Sequence, residues 1–122
     1  MLVYYTRTKN TERMYKKLNM DIQFVNILNY DGVEKFILAT PTYGIGEVPQ
    51  EVTDFLNVHH KNMLAVISSG NKNWGLRFGK AGDLIAEKYQ VPLLCKYELS
   101  GMKEEIKQLR KVLGEFKWII SD

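Results

Sequence analysis

The sequence predicts an α/β domain in which short apolar strands form a parallel sheet with helices on both faces. Three observations predict it. Short apolar runs recur along the chain, and KFILAT at 35–40 and MLAVI at 63–67 are apolar almost throughout, as strands covered on both faces require. Segments of helical periodicity separate these runs. Polar loops follow the strand candidates at 6–11, 41–49 and 68–75. Alternation of this kind implies a parallel sheet with right-handed crossovers.

The elements follow in order. Residues 2–5 read as the first strand, stopped by the polar run TRTKNT at 6–11. Residues 12–18 have helical spacing, with Met14, Tyr15 and Leu18 on one side and Asn10 or Thr11 available as cap. Residues 22–27 form a short second strand candidate, and Asp31-Gly32 is a turn signal. The run at 35–40 enters the loop PTYGIGEVP, and residues 50–56 put Val52, Phe55 and Leu56 on a helix face. The strand at 63–67 is followed by the loop SSGNKNWG at 68–75. Residues 78–89 form a helix expected to turn Ala81, Leu84, Ile85 and Ala86 inward. The last strand lies within 91–99, with Pro92 near its start, where a missing N–H is tolerated. Ser100-Gly101 breaks it. The closing helix, 104–113, has Ile106, Leu109 and Leu113 inward, and residues 117–120 either extend it or form a tail.

A chain of 122 residues suits one domain, spanning 1–122, and not two. No run of about 18 apolar residues exists, so no membrane span is expected. The N-terminus has no basic region ahead of an apolar run, so no secretion signal is expected. The single cysteine, Cys95, cannot form an internal disulfide and fits a reducing, cytoplasmic compartment. It reads as a buried core thiol, since no CxxC accompanies it. The net charge is +3. The cluster Lys103, Lys107, Arg110 and Lys111 is interleaved with Glu104 and Glu105, and reads as a solvated helix face rather than a nucleic-acid patch. His59 and His60 are expected to face solvent. No HExxH motif or metal-ligand spacing occurs.

In an open parallel sheet the ligand crevice lies beyond the carboxyl ends of the strands. The three polar loops all fall there. Thr6, Thr8, Asn10 and Thr11 offer hydroxyls and an amide beside a helix start, which suits a phosphate monoester. Arg7 and Lys9 are expected to face solvent, since the hydroxyls and amide can satisfy phosphate oxygens without them. Neither GxxxxGK[ST] nor GxGxxG is present. Tyr43 in the second loop is an aromatic face beside Gly44 and Gly46, where backbone can approach a flat ligand. Trp74 in the third loop repeats that arrangement. One hydroxyl-rich loop and two aromatic loops point to a planar heterocycle with a phosphate tail. Each loop also has a plainer reading, as a helix cap or a solvated turn.

The stretches YYTRTKNTERM at 4–14, PTYGIGEVPQEVTDFLN at 41–57 and SSGNKNWGLRFGKAGDLIAEKYQVPLLCKYELSG at 68–101 closely resemble the NrdI family, flavodoxin-like proteins associated with class Ib ribonucleotide reductase. The resemblance implies a flavodoxin-like three-layer sandwich, with a five-stranded parallel sheet of order 2-1-3-4-5 and one bound FMN. It implies that Thr6, Thr8, Asn10 and Thr11 surround the phosphate, with Lys9 where many such loops carry glycine. Tyr43 and Trp74 would flank the isoalloxazine. Gly44 would lie near flavin N5, with Ile45 and Gly46 shaping its loop. Gly70, Asn71, Asn73 and Gly75 would form the other wall, and Thr42 and Ser69 complete the expected FMN contacts.

The activity implied is that of an accessory flavoprotein. Reduced by an electron donor, it would convert dioxygen into an oxidant, superoxide, for the dimanganese–tyrosyl radical cofactor of the reductase's small subunit. No side-chain nucleophile or protein-bound metal is expected, because the difficult chemistry belongs to the flavin. The alternative is a general electron-transfer flavodoxin, against which stands the absence of strong acidity. A third possibility is a cofactor-free interaction domain that docks through Tyr43 and Trp74.

Overall fold

The computed structural model describes the backbone of residues 1–121 and the side chains of residues 1–116. Strand β1 (Leu2–Tyr4) leads through α1 (Asn10–Leu18) to β2 (Phe24–Asn26) and β3 (Phe36–Thr40). Helix α2 (Gln50–His59), β4 (Met63–Gly70), α3 (Lys80–Tyr89), β5 (Leu93–Glu98) and α4 (Lys103–Ser121) follow. All strands pair in parallel, in the order β2-β1-β3-β4-β5. This is the flavodoxin-like three-layer sandwich.

Alternation along the central strands divides the core in two. Leu2, Ile37, Ala39, Ala65 and Ile67 face Met14 and Leu18 of α1 and Ile106, Leu109 and Leu113 of α4. Val3, Phe36, Leu38 and Val66 face Val52, Phe55 and Leu56 of α2 and Ile85 of α3. Every residue of β3 is buried, which explains why its sequence shows no polar alternation. At the edge, Phe24 lies flat between Tyr4 and Tyr15, with ring centroids 3.9 and 4.1 Å away. The Tyr15 hydroxyl donates to the Ile22 carbonyl at 2.6 Å. This stack holds the three-residue strand β2 in place, which is shorter than the run at 22–27 suggested.

Several expectations are corrected. Helix α1 begins at Asn10, two residues early, so Asn10 and Thr11 lie in its first turn and neither caps it. The N-cap is Lys9, at φ 64°. Strand β4 continues through Ser68, Ser69 and Gly70 instead of ending at Ile67, because these residues pair with Lys96, Tyr97 and Glu98 of β5, and the buried Ser68 hydroxyl accepts from the Gly82 N–H at 3.1 Å. Helix α3 starts at Lys80, and Leu84 is 40% exposed. Ala81 and Ile85 face inward as expected, with Ala86 packed beside them, and Gly82 takes the place expected of Leu84. His59 and His60 are half-buried. His59 meets Tyr30 and Phe55 at 5.0 and 4.9 Å, and the His60 Nδ1–H donates to the Leu56 carbonyl at 2.9 Å. Cys95 is half-buried on the edge strand rather than in the core, and burial pushes its thiol up. Helix α4 extends through Ser121, so residues 117–120 continue it. No described helix is long and apolar enough to cross a membrane.

Gly82 sets the distance between α3 and the sheet. A Cβ there would lie 2.6 Å from the Ser68 Cβ and 2.7 Å from the Leu93 Cδ1. Gly82→Ala is therefore expected to destabilise the fold by about 1–3 kcal/mol, measured by chemical denaturation.

Candidate functional site

The switch in strand order lies between β1 and β3, where a crevice opens at the carboxyl ends of the strands. A cleft of about 190 Å³ occupies that place. Thr6, Thr8, Asn10 and Thr11 line one side. Thr42 and Tyr43, with Ser69, Gly70, Asn71 and Trp74, line the remainder. All three polar loops therefore meet in one site. Lys9, Gly44, Ile45, Gly46, Asn73 and Gly75 do not line it. Pro41 and Leu99 do, and Leu99 escaped sequence reasoning because it follows the last strand, outside the three loops.

The first wall ends on the start of α1. Lys9 takes the left-handed conformation that glycine adopts more readily, and this reverses the chain into the helix. No side chain caps α1, so its first-turn N–H groups and positive dipole end remain available to an anion. The Asn10 N–H reaches the Thr8 hydroxyl only at 3.4 Å. Arg13, which sequence reasoning missed, braces the loop by donating to the Thr8 carbonyl and the Asn10 side-chain oxygen at 3.0 and 3.1 Å. With its oxygen engaged by Arg13, Asn10 lines the cleft.

The second wall is a closed turn. The Tyr43 N–H donates to the Glu47 carbonyl at 3.0 Å, and the Tyr43 carbonyl accepts from Gly46 and Glu47 at 3.1 and 2.7 Å. Gly44 and Gly46 have φ of 56° and 95°, which explains both glycines. Ile45 projects from the tip. The Arg7 guanidinium lies 4.3 Å from the Tyr43 ring centroid, and is held there by Glu51 at 3.1 Å and by the Tyr5 oxygen at 3.0 Å. Tyr5 in turn donates to Glu51. That hydrogen bond, then the Glu51 backbone N–H and Arg7, hold the Glu51 carboxyl below its ordinary range. Burial pushes the Tyr43 phenol up, with Arg7 opposing.

The third wall descends from β4. Gly70 has no room for a side chain, since a Cβ would lie 2.7 Å from the Gly79 backbone nitrogen. The Asn71 side-chain oxygen accepts from the Asn73 N–H at 2.9 Å and shapes the turn. Asn73 therefore acts here through its backbone. Gly75, at φ 58°, breaks the 3₁₀ segment Lys72–Arg77. Trp74 reaches the cleft and remains 40% exposed.

A family model described as "NrdI Flavodoxin like" matches residues 2–111. The chain belongs to the NrdI family. It is 42% identical over 112 residues to Protein NrdI of Macrococcus caseolyticus (strain JCSC5402), covering 88% of this chain and 84% of that protein. Among solved structures it is similar to oxidised flavodoxin 1 from Bacillus cereus, with TM-score 0.73 at 21% identity over 96% of this chain and 95% of that one. A short-chain flavodoxin associated with a non-canonical PDU bacterial microcompartment gives TM-score 0.76 at 21% identity, covering 98% and 96%. As a NrdI, the protein is an FMN flavoprotein that serves in activating the manganese cofactor of class Ib ribonucleotide reductase.

The cleft fits that cofactor. Its lining includes threonine and serine hydroxyls, an uncapped helix start and no carboxylate, which suits a phosphate. Tyr43 and Trp74 provide faces for a planar ring. Its volume is below the roughly 300–1,000 Å³ of pockets that enclose drug-sized ligands, so a flavin nucleotide would keep part of its surface outside.

Thr42 has a structural task as well. Its buried hydroxyl accepts from the Ala81 N–H at 3.2 Å and pairs with the Ser68 hydroxyl at 3.3 Å. Thr42→Val is expected to cost about 1–3 kcal/mol by leaving that N–H unpaired, with Thr42→Ser retaining most of the stability in the same denaturation assay.

Proposed function

We propose that the protein, with FMN in the cleft and reduced by an electron donor, supplies superoxide from dioxygen to the dimanganese centre of a docked class Ib small subunit. The observation that carries this reading is the convergence of the hydroxyl-rich loop and the two aromatic loops on one partly open cleft. The bound flavin supplies the one-electron reduction of dioxygen, chemistry that no side chain here provides. The cytoplasm is the compartment in which this partnership operates.

The protein's part is to bind, orient and expose. Thr6, Thr8, Asn10 and Thr11 hold the phosphate, assisted by the α1 N-terminus and by Ser69. Lys9 supplies the backbone reversal that aims this loop, and its charge adds to the positive field around the phosphate. Tyr43 and Trp74 flank the ring, and Gly70 and Asn71 bring main-chain polar groups against it. Gly44, Ile45 and Gly46 form the turn that carries Tyr43. Ile45, at 69% exposure, stands where a docking protein would meet it. Asn73 and Gly75 set the course of the backbone around Trp74. Oxidant released into bulk solvent would be lost, so delivery requires the partner to cover the open side of the cleft.

Mixing apo small subunit, manganese, reduced protein and dioxygen should generate tyrosyl radical, followed by electron paramagnetic resonance. Radical no greater than that from an unrelated reduced flavodoxin would refute the proposal.

Arg7 also bears on the flavin. Its charge on the outer side of Tyr43 favours the reduced, more negative cofactor. Arg7→Gln is expected to lower the midpoint potential of bound FMN, by an amount that shrinks as salt is added, in spectroelectrochemical titration.

A further inference from the structure

Two buried side-chain polar atoms lack a hydrogen-bond partner among the described residues: the Tyr97 hydroxyl and the Glu12 Oε1. The carboxylate oxygen can only accept, so it offers an anion nothing. The phenol can donate. Tyr97 is fully buried within the core between the sheet and helices α1 and α4. In the parallel ladder it is the register partner of Ser69, so the two side chains rise from the same face of the sheet. Its hydroxyl faces those of Ser69 and Thr11 without completing a hydrogen bond to either. Both of those residues line the cleft, and both are buried, at 5% and 2% exposure. The Thr11 hydroxyl reaches the Tyr5 carbonyl only at 3.4 Å.

Three buried hydroxyls thus meet beneath the phosphate side of the cleft with almost no protein partner. A buried hydroxyl without a hydrogen bond costs free energy, which a ligand arriving from above can recover. We propose that Tyr97 is a positioning residue of the phosphate subsite, whose O–H donates to the Thr11 or Ser69 oxygen and so frees their own O–H groups to donate to a phosphate oxygen. This rests on the FMN-binding reading of the cleft. Burial pushes the Tyr97 phenol up, chiefly by desolvation, so it stays protonated and remains a donor. The arrangement suits a dianionic monoester, which needs several donors.

The test is Tyr97→Phe, which keeps the ring and removes the hydroxyl. Apo protein should unfold at the same temperature as wild type or a higher one, since an unpaired buried group is gone. FMN affinity should fall roughly three- to tenfold, as for one hydrogen bond, while riboflavin affinity stays unchanged. The ³¹P resonance of bound FMN should shift relative to wild type. Unchanged FMN affinity would overturn the proposal, as would equal losses for FMN and riboflavin. If wild-type protein itself bound riboflavin as tightly as FMN, the phosphate-site reading would fall and the proposal with it. Ser69→Ala gives a second route should Tyr97→Phe fold poorly. It should weaken FMN but not riboflavin, and an effect of equal size on both ligands would again overturn the proposal.

Discussion

The buried Thr42 hydroxyl joins three parts of the chain that are distant in sequence. It follows β3, touches Ser68 in β4 and accepts the Ala81 N–H at the start of α3. The Ser68 hydroxyl takes the next N–H, from Gly82. Together they satisfy orphan donors at a helix start that has no side-chain cap of its own. Because Gly82 lies in that turn, α3 comes close enough for its backbone to reach strand hydroxyls. Tyr43 follows Thr42 directly, and the Trp74 loop hangs between β4 and α3. The placement of both aromatic walls depends on this one junction.

The Tyr43 wall is braced by charge and ring contacts as well. Glu51, at the start of α2, holds Arg7 over Tyr43. Each surface ion pair of this kind is weak alone, but here the guanidinium also receives a tyrosine oxygen and an aromatic face. From its neighbours in sequence Arg7 looks solvent-facing. In the fold it is exposed, as that reading expects, and it steadies a neighbouring aromatic ring.

Much of the architecture was legible in the sequence. Continuous apolar runs marked the buried strands, and the spacing of Val52, Phe55 and Leu56 or of Ile106, Leu109 and Leu113 gave the helix faces correctly. The loops stood out because each is a polar run placed directly after an apolar strand. Less legible was whatever depended on distant partners. Ser68 and Ser69 look like loop residues until Gly82 and β5 are seen to satisfy and cover them. Leu84 looks inward by spacing alone, but the helix turns Gly82 to the sheet. Lys9 at a positive φ contradicts local propensity, and only the closed loop shows why the chain accepts it. Nothing near Tyr97 in sequence hints at the hydroxyls its own side chain meets.

The cleft takes its lining from residues as early as Thr6 and as late as Leu99, and Leu99 is fastened to Gly70 by a backbone hydrogen bond of 3.0 Å. The β1–α1–β2 unit, with its Tyr4–Phe24–Tyr15 stack, is closed by contacts that are local along the chain. The cleft closes only when β5 joins β4. Its lining reaches from Thr6 to Leu99, and contacts between segments that distant form more slowly than contacts within one supersecondary unit. A nascent or partly unfolded chain can therefore own the entire hydroxyl loop and still be unable to retain a nucleotide. Cofactor capture becomes a late event that selects finished molecules, and through mass action it holds them in that state.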